Sequence, residues 1–514
     1  MSEAPRRTLS MRSLDVVEWV GNRLPHPFWL FCYLFVGVVL LSAVLAQLGV
    51  SVTTLPIGDR PGEVIAVRSL LSAEGLQWFV LNMVENFAHF EPLGLVLVML
   101  MGVAIAEGSG LIPTAMRFTA LSVPRWLIIP VLFALGACGN IGSDAGIVVI
   151  PPLAAAVFKQ MGRNPIAGLI VGYVGATAGF TANFLPAGTD VLAMALTNEA
   201  SGGVPEVNVF SNWYFMSVSV VFLAVVGTWV TLRYTLPRLG DTGGNAQPVD
   251  LPDIQPIEKR ALLIAIGAVV AVSALWLLTI VPADGLLRNA DPNPALVWRS
   301  PFFKGLVPIL FTLFAAGGLA YGRVAGTITK ADDIVGWMAD AMRRMGPYIV
   351  LILVISQFIR AFTWAKLDKL IAAGGADALK ALGMQEMPIP FFIAFIIIVA
   401  VANLFMGSAS AKWAIFAPIF VPMFMGLDIH PAFTQLLYRI GDSITNCVSP
   451  LYPFFPILLG WIAEVDGEKA KVGTVLSFLV PYASFLMVGW VLMLVGWYLL
   501  GLPIGPDSPL MLAP

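Results

Sequence analysis

Arg439 lies about eight residues inside an apolar run that begins near residue 431, roughly 12 Å from its start at the helical rise. A guanidinium at that depth keeps its charge, and it grips carboxylate or sulfonyl oxygens through two parallel N–H bonds. Two uses fit: an internal ion pair with Asp442 or Asp190, or a hold on an anionic solute. Asp144 and Lys412 pose the same choice. Each sits in a polar break within an apolar stretch, GNIGSDA at 139–145 and MGSASAKW at 406–413. They either pair with each other and lock the two breaks together, or Asp144 compensates a bound cation while Lys412 attracts an anion. Ser143, Asn183, Ser408, Ser410 and Asn446 add neutral oxygens that suit sodium or a solute carboxamide, and that suit helix-to-helix hydrogen bonds equally well. Trp413 offers a broad apolar face for an aromatic solute or for hairpin packing.

Other chemistries lack their residues. Cys32, Cys138 and Cys447 lie in apolar runs without CxxC spacing and read as small core residues. His26, His89 and His430 stand near the ends of apolar runs with no partners at ligand spacing, so no transition-metal site is expected. A GxxxxGK phosphate loop is missing, which makes ATP drive within this chain improbable. The only cofactor-like species expected is a coupling cation, sodium or proton, with sodium near Ser143, Asn183, Ser408 and Asn446.

The elements that must position these residues are membrane helices. Of 514 residues, 58% are hydrophobic and only 12% charged, and the net charge is -2. A soluble enzyme, a nucleic-acid binder and a disulfide scaffold are thereby excluded. A crossing of about 30 Å needs roughly 20 apolar residues. By that ruler nine crossings run near 28–48, 92–107, 165–199, 211–233, 261–281, 303–321, 347–363, 431–462 and 475–500. The stretches 125–159 and 388–426 are each broken mid-way by small and polar residues. Lipid cannot satisfy the backbone groups exposed there, so both read as re-entrant hairpins with protein-wrapped or wetted tips. The first run follows Arg6, Arg7 and Arg12 and reads as a retained helix, not a signal peptide. With the N-terminus inside, eighteen of the 29 basic residues fall on cytoplasmic segments and eight on outer ones, as short cytoplasmic loops require.

The order of helix, helix, hairpin, broken helix, helix occurs twice, separated by a linker. Residues 1–236 form the first copy, with its hairpin at 125–159 and broken helix at 165–199. Residues 237–302 hold a cytoplasmic linker, the crossing 261–281 and an outer loop. Residues 303–514 form the second copy, with its hairpin at 388–426 and broken helix at 431–462. The single linking crossing inverts that copy. The fold class is thus an all-α polytopic membrane protein, nine transmembrane helices plus two re-entrant hairpins, arranged as an inverted-topology repeat. Residue echoes in shared order support the repeat: Ser143 and Pro151 with Ser410 and Pro418, then Tyr173, Thr181, Asn183 and Pro186 with Tyr438, Thr445, Asn446 and Pro450. Inverted repeats with discontinuous helices bind solute near the midplane in secondary transporters.

The segments GNIGSDAGIVVIPPLAA (139–155), GFTANFLPAGTDVLA (179–193), GSASAKWAIFAPIFVPMF (407–424) and LLYRIGDSITNCVSPLYPFFP (436–456) resemble those of the AbgT family of p-aminobenzoyl-glutamate transporters. The resemblance covers essentially the whole chain. It implies a cation-coupled secondary transporter, a homodimer in a bacterial inner membrane with its N-terminus inside, and no enzymatic or nucleic-acid role. The implied solute is an amphipathic organic anion such as p-aminobenzoyl-glutamate, or a sulfonamide-type antimetabolite in efflux. It further implies cavity-lining roles for Asp190, Trp413, Pro431 and Arg439, with Asp190 and Asp144 as coupling candidates, and an elevator-type movement of hairpins and broken helices against a scaffold.

Three other readings compete. A dicarboxylate carrier of the same superfamily would bind without an aromatic acyl group. A channel would pass unsaturable current where a carrier saturates. An intramembrane aspartyl hydrolase needs GxGD, and this chain has arginine in the glycine position of Arg439-Ile440-Gly441-Asp442.

Overall fold

The computed structural model describes residues 27–53, 64–142, 145–240, 254–288, 300–384, 386–450 and 452–512. Among them, eight helices are long and apolar enough to cross a membrane: Phe28–Gln47, Ala73–Gly108, Trp213–Leu239, Pro256–Leu277, Leu306–Ala325, Gly346–Trp364, Pro388–Phe405 and Val472–Leu499. Seven contain expected crossings. The eighth, Pro388–Phe405, is the leading arm of the second expected hairpin. The two remaining expected crossings each consist of two shorter helices, Pro165–Ala178 with Gly188–Ser201 and Pro431–Ile444 with Phe455–Val465. A 14-residue helix is about 21 Å long, so neither half of the first pair covers the hydrocarbon alone.

The breaks fall where the sequence stops supporting a continuous helix. Pro165–Ala178 starts at an Asn164 cap, whose side chain accepts from Ile166 N, and ends at Gly179. Its continuation restarts at Ala187, whose N–H donates to the Asp190 carboxylate at 2.7 Å. Pro431–Ile444 starts with Pro431 in the first turn, where a missing N–H costs nothing. It tightens into a 3-10 turn, Thr445–Val448, ahead of Pro450 and Pro453, which cannot continue a helix.

The two hairpins fold around equally local signals. Ile128–Cys138 and Ala145–Gln160 flank the first break, while Pro388–Phe405 and Ala409–Met425 flank the second. Ser408 caps the returning arm by accepting from Ala411 N. Phe395 packs across the second hairpin against Phe420 and Phe424, with ring centroids 4.6 and 5.3 Å apart. The glycines of the first broken helix let it lie against the first hairpin: a Cβ on Gly168 would meet Ala154 O at 2.4 Å, and one on Gly172 would meet Pro151 Cα at 2.6 Å. This is the small-residue packing that membrane helices favour.

A second group of helices packs together elsewhere. Glu91–Gly108 lies against Leu306–Ala325, close enough that a Cβ on Gly102 would meet Phe311 Cα at 2.8 Å. Phe28–Gln47 rests on Gly346–Trp364, with Phe31 edge-on to Phe358 at 5.7 Å. The amphipathic helices Ala73–Ala88 and Ala331–Arg344 attach to this group.

Three elements depart from the sequence expectation. Leu111–Leu121 and Leu367–Ala381 are helices where only loops were expected, and 51–53 pairs antiparallel with 64–66 in a two-stranded ribbon. A ruler tuned to long apolar runs passes over all three. Leu367–Ala381 is rich in alanine, glycine and charge, and it buries Ala372, Ala373 and Ala376; its neighbour is the returning arm of the second hairpin. Of the expected linker 237–258, residues 241–253 lie outside the described residues, as do Ser143 and Asp144.

Candidate functional site

The helix Pro431–Ile444 is buried along its whole length, yet it carries Gln435, Tyr438, Arg439 and Asp442 at three- and four-residue spacing. That spacing aligns them on one face. Burial of such a stripe requires partners for every polar atom, and the surrounding breaks supply most of them.

Arg439 meets Asp190. Its Nη2 donates to Asp190 Oδ1 at 2.6 Å, with the two side chains 3% and 5% exposed. The same nitrogen donates to Thr181 O at 2.7 Å, and Nη1 reaches Asn212 Oδ1 at 3.4 Å. Asp190 Oδ2 accepts from Asn183 Nδ2 at 2.8 Å and from Ala187 N at 2.7 Å. The carboxylate therefore sits in the first turn of Gly188–Ser201, where the helix dipole also favours negative charge.

One turn along, Asp442 meets Lys412. Lys412 Nζ donates to Asp442 Oδ1 at 2.6 Å, and the two side chains are 0% and 1% exposed. Lys412 also donates to Asn403 Oδ1. Tyr438 Oη donates to Ala409 O at 2.6 Å and lies 3.1 Å from Asp442 Oδ1. Trp413 stacks on Tyr438 with ring centroids 4.5 Å apart, and its Nε1 donates to Thr197 Oγ1 at 3.1 Å. Thr197 in turn donates to Gln435 Oε1 at 2.7 Å. Two ion pairs and an aromatic stack thus join the second broken helix to the first break and to the second hairpin tip.

A cavity of about 270 Å³ opens among these elements, on the scale of small-molecule sites, roughly 300–1,000 Å³. The first broken helix contributes Phe180, Thr181 and Thr189, the hairpin tip contributes 407–410 and Trp413, and the second broken helix contributes Tyr438, Arg439, Asp442 and Asn446. Tyr452 and Phe454 complete an aromatic wall. The start of Ala409–Met425 faces this space through Ser408, Ala409 and Ser410, so a helix N-terminus contributes partial positive charge there. The pocket thus combines aromatic rings, a helix N-terminus and two buried, charge-compensated ion pairs.

The sequence profile of the AbgT putative transporter family matches residues 12–512. The chain belongs to that family. This AbgT chain is 39% identical over 511 residues to the p-aminobenzoyl-glutamate transport protein of Escherichia coli (strain K12), a match covering 98% of each. Its fold is similar to the Neisseria gonorrhoeae MtrF structure, from a class of antimetabolite efflux pumps, with TM-score 0.90 and 38% identity over 97% of this chain and all of the other. It is also similar to the Alcanivorax borkumensis YdaH transporter, with TM-score 0.87 and 34% identity over 94% of this chain and all of the other. The chain is a multi-pass membrane transporter, not an enzyme.

Of the residues singled out in this AbgT sequence, Trp413, Arg439, Ser408, Ser410 and Asn446 line the cavity together. Asp190 stands behind Arg439 as its ionic partner, and Asn183 behind Asp190 as a donor. Pro431 is not among the lining residues; it opens the helix, eight positions and about 12 Å from Arg439. The expected oxygen set is partly committed already. Asn446 Oδ1 accepts from Asn403 Nδ2 at 2.8 Å, and Ser408 Oγ lies 3.1 Å from Ser410 Oγ. Lys412 is not presented to solute: its ionic partner is Asp442, on the second broken helix. His430, read as a residue at a crossing end, is buried and accepts from Ala432 N through Nδ1.

Sequence reasoning missed Thr197 and Gln435, whose hydrogen bond at 2.7 Å ties the two broken helices together, and Asn212, whose Oδ1 accepts from Gln435 Nε2 at 3.0 Å. The signal for Gln435 was present in the polar stripe it shares with Tyr438, Arg439 and Asp442. Asn212 lies just outside an apolar crossing, at the cap of Trp213–Val230, and nothing in its local sequence distinguishes it.

Proposed function

We propose that this chain is a cation-coupled secondary transporter of an amphipathic organic anion of the p-aminobenzoyl-glutamate type. The E. coli relative carries that solute's name, and the aromatic, arginine-bearing cavity suits a benzoyl group attached to a carboxylate. The observation that carries the reading is the Asp190–Arg439 pair at 2.6 Å. Asp190 and a solute carboxylate compete for one guanidinium. A proton or sodium ion taken up at Asp190 weakens its claim on Arg439 and frees the guanidinium for the anion, so cation and anion load together. A loaded site then carries little uncompensated charge, which movement through hydrocarbon demands.

In this reading the chain has nine transmembrane helices and two re-entrant hairpins in an inverted-topology repeat, with an inside N-terminus in a bacterial inner membrane. Hairpins and broken helices form a moving unit, an elevator, against a scaffold that dimerises with a second copy. The packing supports the division: each hairpin lies against the first half of its own broken helix, and Glu91–Gly108 lies against Leu306–Ala325. Similarity to the MtrF efflux pump favours a second reading with the same site, export of sulfonamide-type antimetabolites whose sulfonyl oxygens take the guanidinium.

Proteoliposomes with imposed sodium or proton gradients test the proposal. Wild-type protein is expected to accumulate p-aminobenzoyl-glutamate against its gradient with one of the two ions. Asp190→Asn is expected to bind the solute without accumulating it, because a carboxamide keeps the shape and loses the charge. Wild-type accumulation by Asp190→Asn removes it from coupling.

A further inference from the structure

Trp413 and Arg439 both line the cavity, and behind its wall they are tied together by three residues that do not line it: Thr197, Gln435 and Asn212. All three are buried. Trp413 Nε1 donates to Thr197 Oγ1 at 3.1 Å, and Thr197 reaches Gln435 Oε1 at 2.7 Å. On the other side Gln435 Nε2 donates to Asn212 Oδ1 at 3.0 Å, and Arg439 Nη1 reaches the same oxygen at 3.4 Å. Gln435 is the midpoint, one turn from Arg439 on the second broken helix.

The direction of each bond is forced. A guanidinium only donates and a backbone carbonyl only accepts. Asn212 Oδ1 takes Arg439 Nη1, while its Nδ2 donates to Ala432 O at 2.8 Å. Gln435 therefore meets the Asn212 oxygen, must answer with Nε2, and turns Oε1 toward Thr197. The Trp413 indole also only donates, so Thr197 accepts from it and passes its own proton onward. Ala193 O competes for that proton at 2.6 Å. That carbonyl already takes a rung of its helix and lies 3.3 Å from Trp413 Nε1, whereas leaving the buried Gln435 oxygen unpaired is costly. A glutamine suits the place because one planar group offers an acceptor to one side and a donor to the other.

We infer that Gln435 is a positioning residue that sets the spacing between the Trp413 ring and the Arg439 guanidinium, and through it the length of solute the cavity takes. The inference rests on the organic-anion reading above and deepens it: the solute class is an aryl group and a carboxylate held apart by a linker of fixed length. Tyr438, stacked on Trp413 at 4.5 Å, sets the tilt of the indole, and the Nε1 bond stops the ring from sliding over it. When a solute anion takes Nη2 from Asp190, Nη1 keeps Asn212, so the guanidinium turns about an anchored corner. Both anchors share one amide, and ring and charge do not shift independently.

The test measures two probes by titration calorimetry on the full-length protein in nanodiscs: N-(4-aminobenzoyl)glutamate and N-(4-aminophenylacetyl)glutamate, whose ring stands one methylene further from its carboxylates. Wild type is expected to prefer the shorter probe by roughly tenfold or more, the value of one misplaced methylene in a fitted site. Gln435→Met keeps the reach of the side chain and removes both hydrogen bonds, and it is expected to bring the ratio of the two affinities toward one. Thr197→Val frees the Trp413 end alone and is expected to do the same. The wild-type ratio in either variant overturns the inference, since a merely structural glutamine lowers both affinities by one factor. If Gln435→Met binds neither probe, Thr197→Val decides by the same two outcomes, and loss of all binding in both variants gives the network a structural role and overturns the inference as well. Equal affinities in wild type overturn it too and leave the organic-anion reading standing. Binding of neither probe by wild type sinks that reading and the inference with it.

Discussion

The Lys412–Asp442 pair makes a sharp energetic prediction, because removing one partner and removing both should have very different effects. Both side chains are essentially inaccessible, at 0% and 1%, and their charged atoms are 2.6 Å apart. Lys412→Met leaves a carboxylate with no counter-charge. Breaking a buried pair in this way costs about 3–5 kcal/mol. The orphan has one escape, taking up a proton, and at pH 7 that costs about 4 kcal/mol for a group whose ordinary value is about 3.9. Asp442→Leu leaves an ammonium that must lose a proton, at about 5 kcal/mol from an ordinary value of about 10.4. The two routes agree in size. Replacing both residues removes the charge altogether and leaves the Asn403 carbonyl without its lysine donor, a penalty of about 1–3 kcal/mol.

The pH dependence separates the two single variants and fixes the sign. In Lys412→Met the cost of neutralising the carboxylate shrinks by about 1.4 kcal/mol for each unit that pH falls, so acid partly rescues it. In Asp442→Leu the cost of neutralising the ammonium shrinks by the same amount per unit that pH rises, so base rescues it. Reversible unfolding in mixed micelles, followed by tryptophan fluorescence between pH 6 and 8, provides the measurement. The expected result is two badly destabilised single variants with opposite pH slopes and a double variant within about 3 kcal/mol of wild type. A double variant no better than the worse single, or single variants without opposing slopes, refutes the reasoning.

Three further outcomes are expected. Arg439→Lys should impair solute binding nearly as much as Arg439→Ala, since both lose the planar fork, and unchanged affinity by calorimetry in Arg439→Ala would return Arg439 to a purely structural role. Gly172→Leu should destabilise the protein by at least about 1–3 kcal/mol in the same unfolding assay, because even a Cβ there would lie 2.6 Å from Pro151 Cα on the first hairpin; wild-type stability would show that the two elements do not pack this closely. A single cysteine placed between residues 241 and 253 should resist an impermeant thiol reagent on intact cells, as an inside N-terminus requires, and ready labelling would reverse the topology.

How much of this was legible in the sequence differs from element to element. The helices Phe28–Gln47, Pro256–Leu277 and Val472–Leu499 were read to within a few residues at most ends, because lipid demands apolar runs of fixed length and the sequence must show them. Breaks were expected within 139–145 and 406–413 for the complementary reason, and the helices do stop at Cys138 and Phe405. Leu367–Ala381 was not legible, since its alanine and leucine favour helix but its charges and Gly374 and Gly375 keep it from forming the long apolar run that marks a crossing. Within the site, Arg439 announced itself by depth alone. Its partner did not. Asp190 and Asp442 were both within reach of the argument, and only the placement of the first break beside the second broken helix, through Thr181 and Asn183, decides for Asp190. Lys412 was drawn toward Asp144 by the symmetry of the repeat; Asp144 lies outside the described residues, and the ionic partner seen for Lys412 is Asp442, within the second half.

That local pairing bears on how such a site is carried. The helix Pro431–Ile444 bears one basic and one acidic residue a turn apart, and each is neutralised by a residue from a different element, Asp190 from the first broken helix and Lys412 from the second hairpin. Four charges converge and cancel. A charge left at the bilayer centre costs several kcal/mol even by permissive scales, so a unit that moves relative to lipid must carry its own counter-charges. Here the counter-charges lie on the elements proposed to move with the helix, and none comes from the scaffold. A solute anion that displaces Asp190 upsets the balance by one negative charge for each carboxylate it carries. In the proposed reading, cations taken up at and around the Asp190 carboxylate restore the balance, which would couple the two fluxes.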